Sequence, residues 1–275
     1  MGMVLFFLVS GIALPIGLAL VGVGAPLALS RARLGVPLTL VDMVLALASA
    51  IPLSPLLYAL LVVTFAAWVG VMSRQHSPRG IVTGVLLAVA LTVALAGWLS
   101  GPFSTRPSAS SRPVFVLGDS LSAGTGASRS GTWPSMLADR TGRRVENLAR
   151  AGARLRDGIS QAQAIPAGES MVLIELGGND LLGGADVDDF EKDLRGLMAS
   201  VMKPDRSVVM LELPLLPLQN RFGSVQHKVC AELGVSLIPR RILAGAIALP
   251  GHSTDGLHLS ETGHRWLAER LASWI

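Results

Sequence analysis

Hydrophobic and polar positions follow two different patterns on either side of residue 100. Before it the apolar runs are long: 3–29 is nearly continuous, 34–72 is interrupted around Ile51-Pro52-Leu53-Ser54-Pro55, and 81–99 follows. About 20 apolar residues in a helix span a hydrocarbon layer of about 30 Å. Proline removes a helical hydrogen bond, so the second run divides at its Pro pair. The pattern predicts an all-α transmembrane domain of four helices, 3–29, 34–51, 53–72 and 81–99. A cleavable leader is not expected, since it needs a charged start and an apolar run of only about 7–15 residues.

Beyond residue 112 the runs shorten and alternate with amphipathic stretches. Segments 114–117, 145–148, 171–176 and 208–213 read as buried strands. The clearest helix is 187–202, with Phe190, Leu194, Leu197 and Val201 on one face and Asp188, Asp189 and Glu191 in its first turn, where the helix dipole favours acids. A last helix opens at Ser260 as N-cap and presents Trp266, Leu267, Leu271 and Trp274. Strand–helix alternation of this kind gives an α/β fold, a parallel sheet with helices on both faces, whose ligands bind at the carboxyl ends of the strands. Between the halves, nine of the 13 residues in 100–112 are Ser, Thr, Pro or Gly, the composition of a flexible linker. The expected domains are thus 1–99, 100–112 and 113–275.

Charge sharpens this division. The whole chain is 51% hydrophobic and 15% charged, and residues 1–100 hold only Arg31, Arg33, Arg74, Arg79 and Asp42 as charged side chains. The arginine pairs fall in alternate loops, so four crossings put both on one side, cytoplasmic by the positive-inside rule, and residues 101–275 outside, in the periplasm or cell exterior. Asp42 sits in an apolar helix, with two readings open: a snorkelling or helix-paired structural residue, or a substrate or proton site. The net charge of +4 comes from scattered arginines, including Arg140, Arg143, Arg144, Arg150, Arg154 and Arg156, without a like-charge block. A solvated face is expected there, and nucleic acid is not an expected partner. Cys230 is the single cysteine, so an intrachain disulfide or cysteine metal cluster is excluded.

The candidate chemistry lies at the strand ends. Gly118-Asp119-Ser120-Leu121 places a serine at a strand-to-helix turn, with its own N–H pointing away from the helix. Gly152 follows the second strand, and Gly177-Gly178-Asn179-Asp180 ends the third with a side-chain amide donor. In Asp255-Gly256-Leu257-His258 a carboxylate three residues before an imidazole can fix Nδ1–H and leave Nε2 to take a proton. Together these supply a nucleophile (Ser120), a base (His258), an orienting acid (Asp255) and oxyanion donors at Ser120, Gly152 and Asn179. Asp119 is expected to cap backbone, and His252 and His264 to be surface or packing residues. No cofactor and no metal site is expected: there is no phosphate loop, no dinucleotide fingerprint, no zinc spacing, and no Gly-x-Ser-x-Gly elbow.

In these four blocks the segment 113–275 resembles the SGNH, or GDSL-type, serine hydrolases, and among them the bacterial esterase, thioesterase and lysophospholipase members. The resemblance implies a flavodoxin-like three-layer sandwich around a five-stranded parallel sheet, and assigns nucleophile, oxyanion and acid–base roles to the residues just named. Residues 1–100 have no counterpart in those relatives. The expected function is membrane-anchored hydrolysis of acyl esters, lipid or lysophospholipid-like, with Leu181, Leu182, Leu215 and Leu216 as the apolar border of the site and membrane lipid as neighbour. Deacetylation or acyl transfer on envelope polysaccharide, and a catalytically idle membrane scaffold, are the alternatives.

Overall fold

In a computed structural model of the chain, residues 2–49, 51, 55–72, 79–99, 112–126, 131–216 and 219–275 are described. Phe7–Gly101 and Leu215–Asn220 cluster as one compact unit; Met1–Phe6, Pro102–Pro214 and Arg221–Ile275 form the other. The expected linker, apart from Arg112, lies outside the described residues, as do the loop at 73–78 and the Pro52 turn.

The first hundred residues are helical: α1 (Gly2–Val9), α2 (Ala13–Ser30), α3 (Ala32–Leu47), α4 (Pro55–Met72) and α5 (Arg79–Leu99). The expected first span, 3–29, is therefore two helices, not one. Pro15 is the reason: its ring excludes the carbonyl of Gly11 one turn back, and no N–H is available to bond it. Gly11 instead turns to φ 82° and its carbonyl accepts the Ser49 hydroxyl at 3.2 Å. The expected second span, 34–51, is also corrected, since α3 ends at Leu47. Among the described residues only Ala13–Ser30 is long and apolar enough to cross a membrane; Leu56–Met72 and Arg79–Leu95 are shorter apolar stretches.

Helices α2 and α3 meet through small residues. A Cβ on Gly17 would stand 2.7 Å from the Asp42 carbonyl, and one on Gly24 would stand 2.6 Å from Thr39 Oγ1 and 3.3 Å from Asp42 Oδ2. Asp42 thus lies buried in this seam instead of snorkelling to a surface. The unit has an apolar core that includes Leu14, Val21, Leu61, Trp68 and Leu86, but it also buries Thr39, Asp42, Ser49 and Thr83 and exposes Val23, Leu34, Val63 and Ile81.

The second unit carries β1 (Val114–Gly118), α6 (Ser120–Ala123), α7 (Trp133–Thr141), β2 (Val145–Asn147), α8 (Leu155–Ala162), β3 (Ser170–Glu175), α9 (Gly178–Leu182), α10 (Val187–Val201), β4 (Arg206–Leu211), α11 (Asn220–Glu232), β5 (Ser236–Ile238), α12 (Arg240–Ala248) and α13 (Glu261–Leu271). All strand pairs are parallel and the order is β2-β1-β3-β4-β5. Successive strand residues point to opposite faces. Val114, Val116, Met171, Leu173, Val209 and Leu211 form one face and pack with Trp133, Leu137, Leu243, Leu267 and Leu271 of α7, α12 and α13. The alternate positions Phe115, Leu117, Val172 and Ile174 are equally buried. Gly158 of α8 packs close to Leu176 and Leu197, and Phe190 of α10 meets Phe222 of α11 edge-on at 5.2 Å. This is the α/β three-layer sandwich.

The strand order makes the chain leave β1 toward β2 and later return to pair β3 on the other side. The loops after β1 and β3 therefore part from each other, and the crevice between them is where ligands bind in such sheets. Ser260 caps α13 by accepting Gly263 N–H at 3.2 Å, and Trp274, expected on that helix, lies past its end but is buried in the same core. Beyond β4, Glu212 is buried against Arg240, which donates to it through both side chain and backbone. Burial alone would raise the Glu212 pKa, but the Arg240 charge, with help from His227, holds it at about 2.

Candidate active site

The loop after β1 is fixed before any substrate is considered. Gln161 of α8 clasps Gly118 from both sides, its Oε1 accepting the glycine N–H and its Nε2 donating to the glycine carbonyl, each at 2.9 Å. Gly118 serves by close approach and not by left-handed turning: a side chain there would put Cβ 2.5 Å from Ser122 Cβ. Asp119 then caps α6, its Oδ1 accepting Leu121 N–H at 2.9 Å. Ser120 is the first residue of that helix and is half-buried.

Behind this turn stands a carboxyl pair. Glu175, the last residue of β3, is fully enclosed and accepts the Ser122 hydroxyl at 2.7 Å and Asp119 N–H at 3.4 Å. Burial, then the neighbouring Asp119 charge, raises its pKa well above the ordinary range. Burial also raises Asp119, to about 6, against the lowering effects of its hydrogen bonds and of the His258 charge. Both carboxyls are thus held above their ordinary range, chiefly by burial.

The other blocks converge on the same crevice. In the loop after β2, Ala153 N–H donates to Arg150 O at 3.1 Å, closing a turn with Gly152 at φ 76°, a conformation that glycine adopts without steric cost. Arg150 N–H in turn donates to Gly118 O at 3.1 Å, so this loop is bonded to the serine turn. After β3, Gly177 takes φ 113° and swings Asn179 toward β1. Asn179 Nδ2 donates to Asp119 Oδ2 at 3.1 Å and to Ala153 O at 3.0 Å. Asp180 lies buried beneath, its Oδ2 accepting Leu155 N–H at 3.0 Å at the start of α8.

The C-terminal block supplies the dyad. Asp255 Oδ2 lies 2.7 Å from His258 Nδ1, and Oδ1 accepts the N–H groups of Leu257 and His258 at 2.9 and 2.7 Å. The bond with the imidazole, then these two N–H bonds, push the Asp255 pKa far below the carboxylate range. A carboxylate so firmly ionised is an acceptor only, so the proton resides on Nδ1 and Nε2 is left with its lone pair. His252 and His264 are packing residues: His252 Nδ1 lies 2.8 Å from Gly245 O, and buried His264 accepts Trp133 N–H at 3.2 Å.

Of the residues expected to border the site, Leu182 is 60% exposed and Leu181 half-buried. Leu257, inside the Asp255–His258 turn, is a further exposed leucine that the sequence reading did not single out. Leu215 and Leu216 fall in the segment that clusters with the helical unit, and Leu215 is fully buried. Gln161 and Glu175 also escaped the sequence reading. Their signal was present: a glutamate inside an otherwise apolar strand, and a glutamine on the inner face of α8.

An open parallel sheet carrying an Asp–His dyad and a serine turn at its switch point defines a hydrolase built on a three-layer α/β sandwich. The chain belongs to the GDSL-like Lipase/Acylhydrolase family, which it matches over residues 116–266, and it is a carboxylic ester hydrolase of this SGNH class. It is 27% identical over 180 residues to the Thioesterase 1/protease 1/lysophospholipase L1 of Escherichia coli (strain K12), covering 62% of this chain and 86% of that protein. It is 29% identical over 163 residues to Esterase TesA of Pseudomonas aeruginosa, covering 54% of this chain and 81% of the relative. The crystal structure of TesA aligns with a TM-score of 0.50 at 27% identity, over 58% of this chain and 96% of its own.

The carboxyl pair yields a stability test. Because the folded pKa of Glu175 is raised, its contribution favours the folded state at low pH and declines as pH rises above the unfolded carboxylate value. Glu175→Gln keeps an acceptor for Ser122 and removes that decline. Thermal unfolding should therefore show the variant gaining on the wild type progressively between roughly pH 5 and 8. A difference in Tm that does not change with pH would contradict the raised Glu175 pKa.

Proposed function

We propose that the chain is a membrane-anchored, extracytoplasmic serine hydrolase that cleaves medium- and long-chain acyl esters through an acyl-enzyme on Ser120. The observation that carries this reading is the 2.7 Å Asp255–His258 bond, which fixes the imidazole tautomer with Nε2 free, in the same unit as the Ser120 turn and the Asn179 amide. Ser120 Oγ attacks the ester carbonyl carbon while His258 Nε2 takes its proton. The tetrahedral oxyanion is held by the N–H groups of Ser120 and Gly152 and by Asn179 Nδ2; loss of one such donor typically costs about 10²–10³ in rate. In the free enzyme Asn179 is already donating to Asp119 and Ala153. A full negative charge is a stronger acceptor than a neutral carbonyl, so the oxyanion draws the hydrogen that Ala153 holds, while Asp119 keeps the amide oriented. Proton return from His258 expels the alcohol, and water attacks the acyl-enzyme by the same relay in reverse.

Two observations support an apolar substrate. Leu182 and Leu257 stand exposed beside Asn179 and His258, where water-soluble substrates give no reason for them. The helical unit exposes leucine, isoleucine and valine and buries its polar groups, an arrangement suited to lipid. In this proposal the helical unit anchors the chain at the membrane through α2 (Ala13–Ser30), the arginines at positions 31, 33, 74 and 79 face the cytoplasm, and the hydrolase unit faces outward.

The substrate reading is tested by kcat/KM for esters of one alcohol from acetyl to palmitoyl, on detergent-purified protein. Each buried methylene contributes up to about 0.8 kcal/mol, so octanoyl should exceed acetyl by well over tenfold, with Leu182→Ser narrowing the gap and Ser120→Ala abolishing all turnover. Equal efficiency for acetyl and octanoyl esters would reject the lipid reading in favour of a polysaccharide deacetylase. For topology, cysteines introduced at Ser77 and Ser108 in a Cys230→Ser background should react oppositely with an impermeant thiol reagent on intact cells, Ser108 being labelled and Ser77 protected. Equal labelling would refute the orientation.

A further inference from the structure

Gly118 is held from a side on which the sheet offers it no strand partner. Register pairing of β1 with β2 covers Val114–Val116 only, while pairing with β3 runs on to Gly118. On the β2 side the peptide groups of Gly118 lie past the end of the ladder, and they are buried, so they need partners from elsewhere. Gln161 supplies both. Its carboxamide stands in for a strand residue, Oε1 accepting Gly118 N–H and Nε2 donating to Gly118 O, each at 2.9 Å, and at 1% exposure it does so without competition from water.

The carbonyl that Gln161 grips is shared. Gly118 O also accepts Arg150 N–H at 3.1 Å. Gly118 lies two residues before Ser120, and Arg150 lies two residues before Gly152. The two backbone N–H groups assigned to the oxyanion are therefore joined through one oxygen, and the gap between them depends on where that oxygen is held. Helix α8 reaches the third donor as well: Leu155 N–H, at its start, donates to Asp180 Oδ2 at 3.0 Å, and Ala153 O, just before it, accepts Asn179 Nδ2 at 3.0 Å.

Leu155 and Gln161 lie on one buried face of α8 with Gly158 between them, about 9 Å apart along the helix axis. The helix thus acts as a rigid spacer behind the three donors. The chemistry of residue 161 is narrowly set. An apolar side chain would fill the same core but leave Gly118 N–H without a partner, and an ionised carboxylate would have no hydrogen for Gly118 O.

We propose that Gln161 is a positioning residue of the reaction: through Gly118 it sets the distance between the Ser120 and Gly152 N–H groups and so fits them to the tetrahedral oxyanion. The proposal rests on the assignment of Ser120, Gly152 and Asn179 given above. Because the donors are matched to the oxyanion and not to the ground-state carbonyl, disturbing their spacing acts on kcat and leaves KM nearly alone.

The test uses the full chain in neutral detergent, with an octanoyl ester as substrate and an octyl trifluoromethyl ketone as probe. The serine oxygen bonds to the ketone carbon, its proton passes to the imidazole, and the carbonyl oxygen becomes the oxyanion. Gln161→Met should lower kcat by roughly 10- to 100-fold, with KM within about twofold, and weaken the ketone in step. Gln161→Glu supplies the rescue, since a protonated carboxyl accepts and donates as the carboxamide does. Burial and the nearby carboxyls bring its titration toward neutrality, so kcat of this variant relative to the wild type should rise as pH falls from about 8 to 6; Asp119, Glu175 and His258 are common to both proteins. Gln163→Met, exposed at the end of α8, should change nothing. A kcat loss in Gln161→Met without weaker ketone binding, a loss carried by KM, or a Gln161→Glu ratio that is flat with pH would overturn the proposal; should Gln161→Met fail to fold, Gln161→Glu alone decides. Asn179→Ala should weaken the ketone too. If it binds as tightly as in the wild type, or if Ser120→Ala still turns over the ester, the oxyanion assignment itself falls and the role of Gln161 with it.

Discussion

Asp119 is the buried carboxyl around which the carboxyl end of the sheet is built. One oxygen accepts Leu121 N–H and holds the serine turn; the other accepts Asn179 Nδ2 and orients that amide. Its own N–H and its carboxylate lean on Glu175 behind. A carboxylate removed from water without partners costs several kcal/mol, and this one is met by two donors, Leu121 N–H and Asn179 Nδ2. The same requirement joins β1, β3 and the Gly152 loop into one rigid frame, and the dyad from the C-terminal loop approaches it from outside. Catalytic geometry here follows from the need to satisfy one buried carboxyl.

That dependence explains which parts of the molecule are legible in sequence. Strands β1, β3 and β4 are legible because four- to six-residue apolar runs such as 114–117 and 171–176 admit few other readings, and the serine and asparagine blocks sit where such runs end. Strand β5 is not: it is three residues long, only Leu237 and Ile238 are buried, and Gly234 precedes it. Its existence was expected through family resemblance alone. Glu175 and Glu212 are hidden for the opposite reason. Each lies at the end of an apolar run, where a hydropathy reading averages the charge away, although a carboxylate in that position is itself the mark of a buried polar network. Gly118 serves to let Ser122 and Glu175 approach, which its place before a turn does not reveal.

In the helical half the misreading of the first span has an identifiable cause. Hydropathy sees 3–29 as continuous, but Pro15 acts one turn upstream, at Gly11, and backbone geometry prevails over composition. The rest of that unit repeats the packing logic of the hydrolase unit. Small residues at Gly17, Gly24 and Gly35 let α2 and α3 approach closely, and the polar groups turn inward. Both units bury an apolar core; the helical one adds an apolar exterior and buried polar groups such as Thr39 and Asp42.

The central claim is that Ser120 is the nucleophile activated by the His258–Asp255 dyad. Reaction of the purified protein with a fluorophosphonate, followed by mass mapping of the adduct, tests it most directly. The account predicts a stoichiometric adduct on Ser120 in the wild type and labelling slowed by orders of magnitude in His258→Ala. An adduct on another serine, or labelling at the wild-type rate without His258, would contradict it.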